Sequence, residues 1–178
     1  IDQLADFGVP VLLLSGGEPL YRPDVLELAA YAAGKGLRAV LSTNGSRISR
    51  EVAGEIKEAG VSYVGISLDG VGEVHDRFRG MKGTFEKSLK AIEHCREAGV
   101  KVGLRFTLTR YNQHQVGEIF QLVEERGINR VCFYHLVYAG RGRHRDRVAL
   151  GPEETRPLID LIFQRTRELR QKGLETEV

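Results

Sequence analysis

The chain has 178 residues, 42% of them hydrophobic, and a formal net charge of +2. This length and composition suit a globular domain and exclude a disulfide-stapled peptide or a low-complexity polymer. No apolar run approaches the roughly 20 residues of a membrane span, and the sequence shows no recognisable leader segment. Its two cysteines have no pairing pattern, so we expect a cytoplasmic protein. The near-neutral charge gives no reason to expect nucleic acid or a membrane as a partner.

A recurring glycine divides the chain into units. Each such glycine follows a charge-rich stretch of helical character and precedes a branched apolar residue: Gly8, Gly36, Gly60, Gly99, Gly127 and Gly173. Glycine is favoured just after a helix ends, because it adopts the left-handed conformation at little cost. We therefore predict that a helix ends before each glycine and that a strand follows it. The helix before Gly8 is expected to lie outside this chain.

Predicted strands and helices alternate along the sequence. Strands are predicted at residues 11–15, 38–43, 63–69, 101–109 and 130–137, with a sixth beginning at 174–178. Helices are predicted at residues 23–35, 49–59, 84–98, 113–126 and 152–172. This order predicts an α/β fold of parallel strands with outer helices. An open doubly wound sheet and a (β/α) barrel both fit; a partial barrel is favoured, because polar and glycine-rich residues follow every strand. We expect one domain over residues 1–178, cut from a longer repeat.

Polar residues follow the first two predicted strands, where parallel α/β folds bind their ligands. Ser15-Gly16-Gly17-Glu18-Pro19 combines open backbone with a carboxylate, which suits a ligand carrying an ammonium group; a tight strand-to-helix turn is the alternative. Ser42-Thr43-Asn44-Gly45 is a small polar cluster, although Asn-Gly is also a common turn in any fold.

The third strand end and the loop after it carry further polar groups. Gly65, Ser67 and Asp69 alternate onto one strand face, so two polar side chains are expected to point inward and to need partners. The loop residues that follow are either functional or solvated: His75, Asp76, Arg77 and Arg79.

The fourth strand places an arginine on its inward face. Gly103, Arg105 and Thr107 lie on one face, and apolar residues occupy the other. A buried arginine is rarely left unpaired, so Arg105 is expected to bridge a carboxylate such as Glu18 or Asp69, or to bind an anionic ligand.

An arginine-rich loop follows the fifth strand. After Tyr138, residues 139–147 hold four arginines, among them Arg141 and Arg143, together with two glycines and His144. Clustered guanidinium groups match carboxylates or phosphates, and a solvated basic loop is the alternative. RNA is less favoured, because no aromatic residues interleave the charges. His135, at the end of the strand, is interpreted as a core histidine, with an acid–base group or a metal ligand as alternatives.

Taken in order, Gly16-Gly17-Glu18-Pro19, Ser42-Thr43-Asn44-Gly45 and Ser67-Leu68-Asp69-Gly70 resemble the motifs of the radical S-adenosylmethionine (SAM) superfamily. The match is to its branch with a C-terminal auxiliary iron–sulfur domain, and it implies the second to sixth β/α units of a partial barrel. Within that superfamily, residues 133–142 (FYHLVYAGRG) are similar to enzymes of haem and haem d1 biosynthesis. This similarity implies radical removal of carboxylate-bearing side chains from a tetrapyrrole, which is a small-molecule substrate.

The resemblance also implies residue roles. The first motif would bind the methionyl amino group of SAM, the next two would line the rest of its pocket, and Arg79 or Arg105 would meet its carboxylate. The implied cofactor-binding residues are Gly16, Gly17, Glu18, Pro19, Thr43, Asn44, Ser67, Asp69, Arg79 and Arg105. The implied substrate-facing residues are Tyr138, Arg141 and Arg143. In this family a 4Fe–4S cluster, reduced by an electron donor, generates a 5′-deoxyadenosyl radical from SAM.

The cysteines depart from the family pattern. The three-cysteine loop that holds the family's cluster is absent from this sequence, as are the cysteines of an auxiliary cluster. A cluster needs thiolate ligands, and Cys95 and Cys132 lack metal-type spacing and are interpreted as buried, inert thiols. We expect that this chain by itself neither holds the cluster nor cleaves SAM, and no residue is predicted to bind a metal.

The leading hypothesis is the core of a radical SAM enzyme of haem or haem d1 biosynthesis. A peptide-modifying maturase of the same superfamily would differ in what the arginine loop binds. A non-catalytic tetrapyrrole- or anion-binding module is a third reading. A (β/α)-barrel lyase without iron is the last alternative. It predicts that this chain is active by itself, and we do not expect such activity.

Overall fold

The computed structural model describes residues 1–136 and 148–178. In these ranges the strands are β1 (Val11–Leu14), β2 (Arg38–Thr43), β3 (Tyr63–Leu68), β4 (Val102–Leu108) and β5 (Arg130–His135). The α-helices are α1 (Asp2–Asp6), α2 (Val25–Gly34), α3 (Arg50–Glu58), α4 (Glu73–Arg79), α5 (Thr84–Glu97), α6 (Val116–Arg126) and α7 (Pro152–Gln171). Short 3₁₀ helices lie at Pro19–Tyr21 and Gln113–Gln115.

The strands follow one another in the sheet in the order of the sequence, β1-β2-β3-β4-β5. β1 pairs with β2 in parallel, with Leu14 opposite Leu41, and β2 pairs in parallel with β3, with Thr43 opposite Ile66. Parallel neighbours need a crossover connection, which the intervening helices provide. The register brings the residues after β1 beside those that end β2, as the sequence predicts for a ligand-binding edge.

The described residues form two compact units. The first comprises residues 1–67 and 86–103, and the second comprises residues 68–85 and 104–178. Among the fully buried side chains of the first unit are Leu41, Ile56, Val64, Ile66 and Ile92. Those of the second unit include Leu68, Leu104, Phe106, Ile119 and Val131. No helix in the described ranges is both long and apolar enough to cross a membrane.

Local sequence explains where the helices begin and end. All six repeat glycines have positive φ, between 55° and 85°, as the C-terminal glycine pattern predicts. The Ser49 side chain caps α3 by accepting a hydrogen bond from the Val52 amide. Pro152 begins α7, and the Glu154 carboxylate accepts a hydrogen bond from the Gly151 amide in front of it.

Three expectations about the elements are wrong. The helix before Gly8 is inside the chain, because Asp2–Asp6 is helical. Residues 73–79, expected as a loop, form α4, whose acidic first turn and basic last turn match the helix dipole. The sixth strand is reduced to one parallel bridge between Arg130 and Glu177. The other predicted elements differ from the observed ones by a few residues at their ends, except that residues 113–126 open with a 3₁₀ turn.

Candidate functional site

The turn after β1 presents open backbone followed by a carboxylate. Gly16 has φ +135°, a backbone conformation that side-chain-bearing residues rarely adopt, and no atom lies within 4 Å of a Cβ built there. Gly17 is equally open. Glu18 is extended, at φ −130°, and caps the 3₁₀ helix Pro19–Tyr21 by accepting a hydrogen bond from the Leu20 amide. The alternative interpretation, a strand-to-helix turn, is therefore correct for the backbone, and the turn also leaves free space in front of the two glycines.

The half-buried Glu18 carboxylate ties the end of β1 to the end of β2. Its Oε1 accepts hydrogen bonds from Thr43 Oγ1 at 2.6 Å and from the Leu20 amide at 3.3 Å. Its Oε2 accepts one from the Asn44 amide at 2.8 Å. A carboxylate has about four acceptor directions, two on each oxygen. Donors from the described residues use three of these directions, so Oε2 retains one acceptor direction for a further donor.

The polar cluster after β2 is held in place by its own hydrogen bonds. Thr43 Oγ1 accepts from the Gly45 amide at 3.0 Å, and Asn44 Oδ1 accepts from the Ser46 amide at 2.8 Å. Ser88 Oγ on α5 donates to the Asn44 carbonyl oxygen at 3.2 Å. Thr43 and Asn44, both predicted from the sequence, thus come together with Glu18 in the first unit.

Asp69, just after β3, is fixed through both of its backbone groups. Its amide donates to Nδ1 of His75 at 3.1 Å, and its carbonyl oxygen accepts from Asn112 Nδ2 at 3.0 Å. Asn112 Oδ1 in turn accepts hydrogen bonds from the amide and the hydroxyl of Thr109. His75 and Asn112 are buried, at 2% and 0% exposure, so they form a rigid support for this turn.

The Asp69 carboxylate pairs with Arg79, whose Nε lies 2.6 Å from Oδ2. Burial raises the pKa of the Asp69 carboxyl, and the Arg79 guanidinium opposes that shift. Burial, with Arg79 as the second cause, lowers the pKa of His75 to about 4. The imidazole is therefore neutral at physiological pH, as its role as acceptor from the Asp69 amide requires.

Sequence reasoning missed the supporting roles of Asn112, His75 and Asp76. The Asp76 carboxylate accepts hydrogen bonds from the amides of Gly83 and Phe85 and from the Thr84 hydroxyl, where α5 begins. These bonds lower the pKa of Asp76 to about 2. The sequence did hold a signal for the role of Asp76. Thr84 marks the start of a helix, and Gly83 directly before it has no side chain that could cap the helix. Such a start needs an acceptor from elsewhere.

Arg105 and Thr107 share one face of β4, as the predicted alternation requires. Leu104, Phe106 and Leu108 are at most 2% exposed, and Arg105 and Thr107 between them are half-buried. Of the two alternatives for Arg105, the ion pair with Glu18 or Asp69 is wrong for the described residues, where Asp69 pairs with Arg79. In the described part of the chain Arg105 has no carboxylate partner, and its guanidinium lies 5.2 Å from the centroid of the Tyr134 ring.

The remaining predicted residues are placed as follows. Ser67 is half-buried on β3, and Pro19 is buried at the start of its 3₁₀ helix. The substrate-facing residues Tyr138, Arg141 and Arg143 lie outside the described residues. His135 is exposed at the end of β5, which contradicts its interpretation as a core histidine.

The cysteines do not fit an iron–sulfur cluster. The chain has two, one fewer than the predicted family loop requires. Cys95 is fully buried, and burial raises the pKa of its thiol to about 12, which fits an inert thiol. Cys132 is partly exposed on β5, so its interpretation as buried is wrong. Among the described residues no three His, Cys, Asp or Glu side chains are grouped to hold a metal ion.

Comparison with known proteins bears on this geometry. The model of the radical SAM superfamily matches residues 1–123. Fe-coproporphyrin III synthase of Methanosarcina barkeri is 56% identical over 100% of this chain and 45% of its own length. Pre-heme d1 synthase of Dinoroseobacter shibae is 40% identical over 94% of this chain and 42% of its own length. The chain thus spans less than half of each of these relatives.

Solved structures confirm the predicted fold class. SuiB of Streptococcus suis matches with a TM-score of 0.78 and 18% identity, over 99% of this chain and 40% of its own. The protein anSMEcpe, solved with bound AdoMet and a peptide, matches with a TM-score of 0.73 and 22% identity, over 93% of this chain and 49% of its own. At these identities the likeness establishes the α/β partial-barrel fold, with parallel strands and outer helices.

Proposed function

This chain belongs to the radical SAM superfamily, and on that basis we propose that it forms the SAM- and substrate-binding core of an enzyme of haem or haem d1 biosynthesis. The proposed substrate is a tetrapyrrole with carboxylate-bearing side chains. Support comes from two relatives, 56% and 40% identical, named Fe-coproporphyrin III synthase and pre-heme d1 synthase. We further propose a cytoplasmic location and an external electron donor for the whole enzyme.

The observation that carries the SAM assignment is the remaining acceptor direction on Glu18 Oε2. The Asn44 amide, at 2.8 Å, orients this oxygen, and Thr43 and Leu20 saturate its neighbour Oε1. An ammonium group brings three donors and one positive charge, so it complements a carboxylate oxygen of this kind. The open space at Gly16 and Gly17 allows a ligand to approach the backbone there. These features fit the methionyl amino group of SAM.

When bound, SAM supplies the radical chemistry, while the protein binds, orients and shields it. In this proposal the Glu18 carboxylate holds the amino group. Thr43 and Asn44 hold that carboxylate in place. Ser67 and Asp69, with Arg79 or Arg105, keep the cofactor-binding roles that the family resemblance implies. The two cysteines of this chain do not fit the cluster, so we derive no step through it.

Equilibrium dialysis with labelled SAM tests the assignment. Glu18→Gln removes the negative charge while keeping the shape of the side chain, and we expect SAM to bind roughly 10- to 100-fold more weakly. Glu27→Gln is the matched control, because Glu27 is an exposed carboxylate of α2 in the same unit. A SAM analogue without the amino group should bind wild type and Glu18→Gln equally. Equal SAM affinity of wild type and Glu18→Gln would overturn the assignment.

A peptide-modifying maturase is the second candidate. It is favoured by the fold match to anSMEcpe, whose structure holds a peptide. Titration of the chain with iron coproporphyrin III, followed by the porphyrin absorption band, separates the two candidates. Saturable binding of the porphyrin supports the tetrapyrrole assignment. Binding of a cysteine-containing peptide without binding of the porphyrin supports the maturase.

A further inference from the structure

Several arginines of the second unit form ion pairs with carboxylates, whereas Arg105 does not among the described residues. Arg79 pairs with Asp69, Arg110 with Glu154, Arg130 with Glu177 and Arg165 with Glu168. Arg105 is half-buried on β4, yet it has no carboxylate partner among the described residues. A cation that loses part of its hydration without gaining an anion is unfavourable, so such a position suits an anionic ligand.

Tyr134 on β5 positions the Arg105 side chain. The guanidinium carbon lies 5.2 Å from the ring centroid, within the range of a cation–π contact. This contact holds the guanidinium without neutralising it. Its N–H groups are not used in hydrogen bonds to described residues, so they remain available for the two oxygens of a carboxylate.

The Tyr134 phenol does not compete as an anion for Arg105, because an ordinary phenol is neutral at physiological pH. Burial, with Cys132 as the second cause, raises the pKa of Tyr134 further. Arg105 therefore meets no negative charge from this side chain. Tyr134 is 37% exposed, so the pair is accessible to a ligand.

We propose that Arg105, held over Tyr134, binds a carboxylate of the tetrapyrrole substrate and contributes to the selection of carboxylate-bearing tetrapyrroles. This inference rests on the proposed function. The substrate is favoured over SAM as the source of the carboxylate, because β5 leads directly into the arginine-rich loop predicted to face the substrate. The other predicted SAM residues lie on β3 or after β1, β2 and β3, and the carboxylate of SAM is then left to Arg79.

Paired ligands test the proposal. Iron coproporphyrin III carries four carboxylates, and its tetramethyl ester carries none, so both are titrated in the same detergent and followed by porphyrin absorption. We expect Arg105→Met to weaken binding of the acid on the order of 10- to 100-fold and to leave binding of the ester within about twofold. Arg167→Met, an exposed position of α7, is the matched charge control and should bind both ligands as wild type does.

Two further variants separate positioning from folding. Tyr134→Phe keeps the ring and should retain most of the affinity for the acid, whereas Tyr134→Leu should lose part of it. Thermal melting of each variant identifies any variant that fails to fold.

Several outcomes would overturn the proposal. One is equal affinity of wild type and Arg105→Met for the acid, and another is an equal loss for acid and ester. Weaker SAM binding with unchanged porphyrin binding would assign Arg105 to the cofactor instead. If wild type itself binds no porphyrin, the proposed tetrapyrrole function fails before Arg105 is tested.

Discussion

The hydrogen bond between Glu18 and Thr43 couples two strand ends, and a double-mutant cycle measures that coupling. Thr43→Val removes the contact, which joins Thr43 Oγ1 to Glu18 Oε1 at 2.6 Å, together with the bond that Thr43 Oγ1 accepts from the Gly45 amide. Glutamine is uncharged and offers one oxygen where glutamate offers two, so in the observed arrangement it cannot accept from both Thr43 and the Asn44 amide. Glu18→Gln therefore removes one of these two bonds and the negative charge that strengthens the other.

The expected cost follows from this count. A hydrogen bond to a charged group contributes about 1.5–3 kcal/mol, so Glu18→Gln should lower the free energy of unfolding by about that amount. In a domain of this size each kcal/mol lowers the melting temperature by roughly 2–4 °C. Because both single variants weaken or remove the Thr43–Glu18 bond, the double variant should cost at least about 1 kcal/mol less than the sum of the two.

Urea unfolding followed by circular dichroism measures all four proteins of the cycle. A shift in the midpoint at constant m-value reports a change in stability. Glu27→Gln is the control and should cost no more than about 0.5 kcal/mol, as surface substitutions do. Costs of the two single variants that add within about 0.5 kcal/mol would refute the coupling, as would a Glu18→Gln variant as stable as Glu27→Gln.

Three further substitutions test other parts of the molecule. Asp76→Asn should remove stability at pH 7, and its deficit against wild type should shrink as the pH falls from about 4 towards 2. The reason is that the folded-state pKa of Asp76 is lowered to about 2 from 3.8, so its stabilisation is lost through that range. Arg79→Met leaves the buried Asp69 carboxylate unpaired and should destabilise the protein more at pH 7 than at pH 4, where that carboxyl takes up a proton. Gly103→Ala should cost about 1–3 kcal/mol in urea unfolding, because its Cβ would lie 2.6 Å from ring carbons of Tyr63.

Each of these has an outcome that contradicts it. A deficit of Asp76→Asn that stays constant from pH 7 to pH 2 would mean that its carboxylate does not carry the stabilisation. Equal destabilisation of Arg79→Met at both pH values would mean that the ion pair is not the cause. Gly54→Ala is the control for Gly103→Ala, since no atom lies within 4 Å of its added Cβ in the helix α3, and it should be neutral or stabilising. Gly103→Ala with the stability of wild type would refute the predicted clash.

The elements were predictable because their signals are local. A glycine after a charged helical stretch, a serine before α3 and a proline at the start of α7 each act within one turn of the chain. The same holds for the order of the motifs that identify the superfamily, which is a property of the sequence alone. α4 was missed because it has only seven residues and begins after Gly72 without a capping side chain.

Pairing between charged groups was less predictable. The sequence left Arg105 either bridging Glu18 or Asp69 or binding an anionic ligand. The structure pairs Asp69 with Arg79 and places Arg105 against Tyr134. Pattern and periodicity assign a side chain to a face, but they do not determine which of several opposite charges it meets there.

By itself, then, the sequence determined the alternation of strands and helices, the glycines that end the helices and the polar motifs that follow the strands. Only the tertiary structure decided which hydrogen bonds and ion pairs the side chains of those motifs form. Glu18 meets Thr43 across 25 residues of chain, and Asn112 meets Asp69 across 43. Contacts over such separations depend on strand register and packing. The remaining acceptor direction on Glu18 and the lack of a carboxylate beside Arg105, both among the described residues, are therefore features of the fold that no local pattern encodes.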